Sequence, residues 1–338
     1  MSAPGTRARG RRWSAPRAHV AVTDAVSARP ASRHGATKRR RRKSLRRRVT
    51  AKLTPLLWIG PALVLIGFAI GWPLVSMFDT ATLQVNAFGL VDGHNGFDNF
   101  RHLFAEPELR GIVERSVIWV VTVVAITTVI SLGLAQLFNK RFPGRRVTRL
   151  ALIAPWAASV LMSAIVFKWM LNTNSGLFNI IGHDLGVVGP LNRTDPLGQA
   201  STSFPWLIFV AVFVSLPFTT YAILAGHSSI PDDVYEAARV DGASAWRSYV
   251  HITLPLLKPA IVIATLINIM NVFNNFPIIW AMTHGQPGYS TATTTVFMYI
   301  LKSSDIGESA AMAVLNFGIV AVFAAAFLRA SGWRTEVD

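Results

Sequence analysis

Apolar residues in this chain gather into six long runs, at about 56–78, 116–138, 150–171, 206–226, 260–282 and 309–328. A lipid hydrocarbon core of about 30 Å takes roughly 20 helical residues to cross. Each run therefore predicts one transmembrane helix, and the expected fold class is an all-α, six-span polytopic membrane protein. Pro61, Pro73, Pro155, Pro217 and Pro277 fall inside the runs. Membrane helices tolerate such interruptions where neighbours satisfy the freed carbonyls, so these prolines predict kinks lining a cavity.

The connection 227–259 between the fourth and fifth runs has a different texture, neither low in complexity nor rich in turn residues. It predicts two short helices. Ser229, Pro231 and Asp232 supply an N-cap, a first-turn proline and an early acid. Gly242 interrupts, and Ser244 caps a second helix through Trp246, Tyr249 and His251 until Pro255 and Pro259 end it.

Composition agrees with a membrane protein: 51% of the 338 residues are hydrophobic and 15% charged. Cysteine is absent, which excludes disulfides, thiolate metal sites and catalytic thiols. The net charge of +16 resembles a nucleic-acid signature until it is located. Residues 1–52 hold seventeen Lys or Arg against the single acid Asp24, leaving the remainder neutral. The expectation is a disordered basic tail that keeps the N-terminus in the cytoplasm. Its alternatives are anionic lipid binding and, last, nucleic acid. The first apolar run is of span length behind a long tail, so it predicts a retained helix and not a cleaved signal peptide.

Loop charge sets the orientation. The connection 139–149 carries Lys140, Arg141, Arg145, Arg146 and Arg149 with no acid and is expected to be cytoplasmic. Segments 79–114, 172–205 and 283–308 then lie outside, and both termini lie inside. The connection 227–259 becomes cytoplasmic by alternation alone, since it holds four acids against three Lys or Arg. The expected organisation is a tail, 1–52; a transmembrane domain, 53–330; and a short cytoplasmic C-terminus, 331–338.

Residues 235–257, YEAARVDGASAWRSYVHITLPLL, closely resemble the cytoplasmic EAA loop of ABC importer permeases. Glu236, Ala237, Ala238, Asp241, Gly242, Ala243, Ile252, Leu254 and Pro255 fall at the family's spacing, and the loop as a whole runs 228–258. The resemblance extends over 53–330 and is similar to the maltose-type sugar subfamily. It includes NGFDNFRHLF at 95–104, Pro155 with Trp156, Lys168 to Met170, Gly176 to Asn179, and NNFPIIWAMTHGQPGYST at 274–291. One departure is Gln286, where the family usually has a second glycine. The resemblance implies an inner-membrane permease subunit of a bacterial binding-protein-dependent sugar importer. It implies as partners a second permease, two ATPase subunits, an extracytoplasmic solute-binding lipoprotein and a carbohydrate, with glycerol phosphate or another polar solute as the alternative cargo. The loop would be the coupling helix that docks on the ATPase.

The residues suit that role. Ala237 and Ala238 give a small face for close approach, Gly242 permits the bend, and Glu236 and Asp241 offer anchors to a basic or amide-bearing partner. An amphipathic helix lying on the membrane is the competing reading, disfavoured because acids are repelled by anionic lipid. No Walker-type phosphate loop occurs, so ATP and magnesium are expected to be used by partner subunits and no cofactor or metal by this chain.

The fifth run holds Asn268, Asn271, Asn274 and Asn275; spacing puts 268, 271 and 275 on one helical face. Buried carboxamides need partners, and each can donate to and accept from the hydroxyls of an uncharged polyol. Helix-to-helix amide bonding is the alternative. Asn316 and Tyr221 are further pathway candidates, Thr219 and Thr220 are expected to bond back to their own helix, and Lys168 is expected to snorkel to the headgroups. An ion-coupled secondary transporter is the rival class, but these spans carry no ionisable group at mid-depth. An intramembrane enzyme would need paired carboxylates or a histidine within the bilayer, and every histidine is read as tail or loop.

Overall fold

A computed structural model describes residues 41–85, 88–186 and 195–331, with side chains from residue 58 onward. The expected tail, apart from 41–52, and the C-terminus beyond 331 lie outside the described residues. The chain divides into two compact units, 1–65 and 66–338. The described part of the first is helical. In chain order the elements are α1 (Arg41–Thr80), β1 (Leu83–Val85), β2 (Val91–His94), α2 (Asp98–Ala105), α3 (Leu109–Asn139), α4 (Arg145–Ala157), α5 (Val160–Met170), α6 (Leu177–Asp184), α7 (Ala200–His227), α8 (Asp232–Val240), α9 (Ala245–Ser248), α10 (Leu254–Phe273), α11 (Phe276–Thr283), α12 (Thr294–Leu301) and α13 (Ile306–Ser331). A π-helical turn, Tyr249–Thr253, joins α9 to α10.

Five helical stretches are long and apolar enough to cross a membrane, or six if a bent pair counts as one span. That pair is the third apolar run. It is not one helix but α4 and α5, bent by 98°. Pro155 withholds an N–H near the end of α4, Ala158 turns extended, and the Ser159 hydroxyl accepts from the Met162 N–H at 3.1 Å to start α5. The fifth run also departs from a single helix. Asn274 and Asn275 interrupt it, and Pro277 sits in the first turn of α11, where a missing N–H costs nothing. A short antiparallel ribbon, β1 with β2, further corrects the all-α expectation. The Asn99 amide braces it by donating to Ala81 O at 2.9 Å and Leu83 O at 2.8 Å.

The core of the second unit forms where α3 and α7 pack along each other, α10 lies against both, and α13 covers α10 and α12. Trp119, Val123, Leu207, Val210, Ile278, Ile279 and Met312 fill it. Helices approach closely at Gly226, where an added Cβ would stand 2.5 Å from that of Ala260. Directed hydrogen bonds fix the register where helix ends leave backbone groups without intrahelical partners. Ser116 Oγ accepts from the N–H of Thr294, the first residue of α12, at 2.8 Å. Trp119 Nε1 donates to Val272 O at 3.0 Å, beside the break between α10 and α11. A second apolar cluster, with Phe138, Ile223, Ile230 and Leu257, gathers beneath α8.

Candidate functional site

Helix α8 begins after Pro231 and carries Asp232 and Asp233 in its first turn. The Ser229 hydroxyl does not cap it but donates back to Gly226 O at 2.7 Å. Gly242 ends the helix with φ +73°. Its N–H donates to Arg239 O at 3.1 Å, and the Ala243 N–H donates to Ala238 O at 3.0 Å. This paired closure needs a left-handed residue. Ser244 then caps α9, its hydroxyl accepting from the Arg247 N–H at 3.3 Å. The connection is therefore an ordered elbow, and Pro255 and Pro259 do not end its second helix. The wider π turn absorbs Pro255, and the helix runs on from Ala245 to Phe273.

The elbow's residues divide between two faces. Glu236, Ala237, Asp241 and Gly242 are exposed, as are Val240 and Trp246, while Ala238 is buried. The two alanines accordingly do not share a docking face; Ala237 is open and Ala238 packs inward. Ala243 and Leu254 are half-buried, and Pro255 is exposed. Inward, Thr253 Oγ1 lies 3.4 Å from Tyr235 Oη. The 139–149 connection is pinned nearby, since Arg149 donates to Phe138 O at 2.9 Å and Tyr221 Oη to Arg149 O at 3.4 Å.

All four asparagines of the fifth run meet at one cavity of about 390 Å³, together with Trp156, Val160, Val214, Ser215, Phe218 and Pro277. The volume lies within the usual range for small-molecule sites, about 300–1,000 Å³. The cavity sits where both interrupted runs break: Trp156 and Val160 flank one gap, Asn274 and Asn275 form the other. Asn268 Nδ2 and Asn275 Oδ1 are buried, and among the described residues neither has a hydrogen-bond partner. One is a donor and the other an acceptor. The break also admits Asn274, which the straight-helix argument had set apart from the stripe and which donates to Met270 O at 2.9 Å.

The remaining candidates lie elsewhere. Tyr221 lines a neighbouring apolar cavity of about 340 Å³ that shares Trp156 and Phe218 with the first. Asn316 is not at the cavity; it is buried against α12, with Nδ2 3.4 Å from Thr294 O. Thr219 bonds back to Ser215 O at 3.0 Å as expected, whereas the Thr220 hydroxyl crosses to Ser131 Oγ at 3.1 Å. Lys168 is not free to snorkel, because Nζ donates to Ala281 O at 2.9 Å. His227, read as a loop residue, is the buried last residue of α7. Trp156, Ser215 and Phe218 were not picked out as site residues. The proline before Trp156 and the capping Ser159 after it were the signals of a break there. Among the described residues no group of three or more His, Asp or Glu could hold a metal ion.

Residues 125–333 match the model of a family described as the binding-protein-dependent transport system inner membrane component. A probable ABC transporter permease of Brucella suis biovar 1 is 41% identical over 279 residues, covering 82% of this chain and 96% of its own. A sulfoquinovosyl glycerol transport permease of Agrobacterium fabrum is 31% identical and covers 82% and 90%. A trehalose/maltose transport permease of Thermococcus litoralis is 35% identical and covers 63% and 71%. In fold the chain matches a crystal structure of a bacterial ABC transporter involved in importing the acidic polysaccharide alginate, with a TM-score of 0.70 at 21% identity over 88% of this chain and 100% of that one. The elbow, the broken spans and these matches together establish that the chain belongs to the family of inner-membrane components of binding-protein-dependent transport systems.

Proposed function

We propose that the asparagine cavity passes an uncharged, polyhydroxylated solute, a sugar or oligosaccharide, through a six-span permease whose termini and elbow are cytoplasmic. The observation that carries this reading is the buried, unpartnered donor of Asn268 beside the buried, unpartnered acceptor of Asn275. A hydroxyl group answers both, since it donates and accepts, and leaving such groups unmatched is costly. Trp156 and Phe218 supply apolar walls for a sugar's C–H faces. Discontinuous spans whose broken ends line the site are one construction membrane transporters use for binding solutes. Several relatives carry sugar names, trehalose/maltose and diacetylchitobiose among them.

The chain forms half of the pathway with a second permease and receives solute from an extracytoplasmic binding lipoprotein. Glu236, Ala237, Asp241 and Gly242 on the outer side of the elbow contact an ATPase subunit, one of two that bind ATP and magnesium. Ala238, Ala243, Leu254 and Pro255 shape the elbow behind that face. The test uses the transporter reconstituted with its partner subunits. Asn268→Leu and Asn271→Leu should cut uptake of the sugar its binding protein retains by about tenfold or more, as for loss of one or two good hydrogen bonds, while ATPase subunits still co-purify. Undiminished uptake by both variants sinks the reading.

A further inference from the structure

The half-helices α5 and α11 leave the asparagine cavity from its two breaks and are joined near their far ends by one charged contact. Lys168, in the last turn of α5, donates from Nζ to Ala281 O at 2.9 Å. Among the described residues no carboxylate forms an ion pair with it. Ala281 lies in the last turn of α11, where carbonyls lack intrahelical donors. The Gly285 N–H that would reach it turns to Thr283 Oγ1 at 3.3 Å, and the His284 N–H goes to Ile279 O and Trp280 O. The ammonium thus satisfies a carbonyl left open at a helix C-terminus, the end whose dipole favours a cation. Partial burial strengthens the contact further.

Packing points the same way. Helix α11 packs more extensively on α5 than on any other element, although 113 positions separate Lys168 from Ala281. Ser159 and Asn275, the residues that open the two half-helices, are both N-cap positions, and the chain bends by 98° at the first. On the other side of the breaks, α4 and α10 pack on α7 more extensively than α5 and α11 do.

From this we infer that Lys168 is a positioning residue. It fastens α5 and α11 into one block, which swings on the breaks at Ala158 and at Asn274 and so sets the opening of the asparagine cavity. The inference rests on the reading of that cavity as the solute site, but its test does not read solute.

The chain has no cysteine, so introduced thiols are unique within it, and the partner subunits are used in cysteine-free form. Spin labels at Trp169, 71% exposed on α5, and at His284, at the end of α11, report the block; labels at Leu150 on α4 and Trp169 report the hinge. Distances are measured in the complete transporter, nucleotide-free and trapped with ATP and vanadate. The block pair should shift by less than about 2 Å, the scale of small interface adjustments, while the hinge pair shifts by more. Lys168→Met should broaden the block distribution and Lys168→Arg should restore it. A block pair that separates on trapping overturns the inference even if the methionine variant fails to insert; so does an unchanged distribution in an inserted Lys168→Met protein. Normal uptake by both Asn268→Leu and Asn271→Leu would overturn the solute reading alone and leave these distances as they are.

Discussion

Replacing Gly242 isolates backbone conformation from bulk. Its φ is +73°, and among the described residues no heavy atom lies within 4 Å of an added Cβ, so they offer no clash to a small side chain. Gly242→Ala then costs only the left-handed penalty, about 1–2 kcal/mol for an L-residue. At about 1 kcal/mol the folded elbow loses roughly fivefold in population against its opened form. Asparagine tolerates that region and should lose less. Gly242→Pro forces φ to about −65° and removes the N–H that donates to Arg239 O, a cost of about 3 kcal/mol or more. The assay is co-purification of the cognate ATPase subunits with tagged permease, normalised to inserted protein, together with ATP hydrolysis per complex. Retention should fall in the order Gly, Asn, Ala, Pro. Normal capture by Gly242→Pro refutes the argument. Asparagine as damaging as proline would mean that partner contact at the glycine, not its φ, sets the requirement.

Other substitutions test the packing and the site. Ser116→Ala strips the buried Thr294 N–H of its acceptor and should destabilise the protein by about 1–3 kcal/mol, read as a lower Tm in detergent. Trp119→Phe keeps an aromatic ring but removes the donor to Val272 O and leaves a void where the indole's second ring stood; more than about 1 kcal/mol of stability should be lost, with increased thiol accessibility at a cysteine placed at Asn274 as the local readout. Asn316→Leu should leave uptake close to normal, because that amide faces α12 and not the cavity, whereas Asn268→Leu should not; equal losses would remove the distinction drawn between them.

The parts legible in the sequence were those with a local physical signature. Apolar runs announced the long helices, Ser244 announced a cap, and Gly242 announced a bend, which the structure makes with a left-handed residue. The breaks were harder to see. Mean hydropathy is blind to a change of direction between Ala157 and Val160, and Pro155 alone is compatible with a mere kink. Spacing placed Asn268 and Asn271 together correctly, but a straight helix could not foresee that Asn274 joins them once the chain turns. Lys168 and Trp119 were opaque for another reason. Their partners, Ala281 and Val272, are backbone carbonyls 113 and 153 positions away, and a carbonyl carries no sequence signature.

The π turn at Tyr249–Thr253 gives the fifth span a phase as well as a length. Helix runs unbroken from the elbow to the asparagines, so Ser248 and Asn268 ride one shaft about 30 Å apart at 1.5 Å per residue. The wide turn stores one surplus residue in that shaft. Drawing that turn into an ordinary coil with every residue kept would rotate everything beyond by about 100°, turning Asn268 and Asn271 away from Trp156 while the elbow kept its shape. The bulge therefore keys the azimuth of the polar stripe to the elbow, as a keyway fixes a gear on its axle.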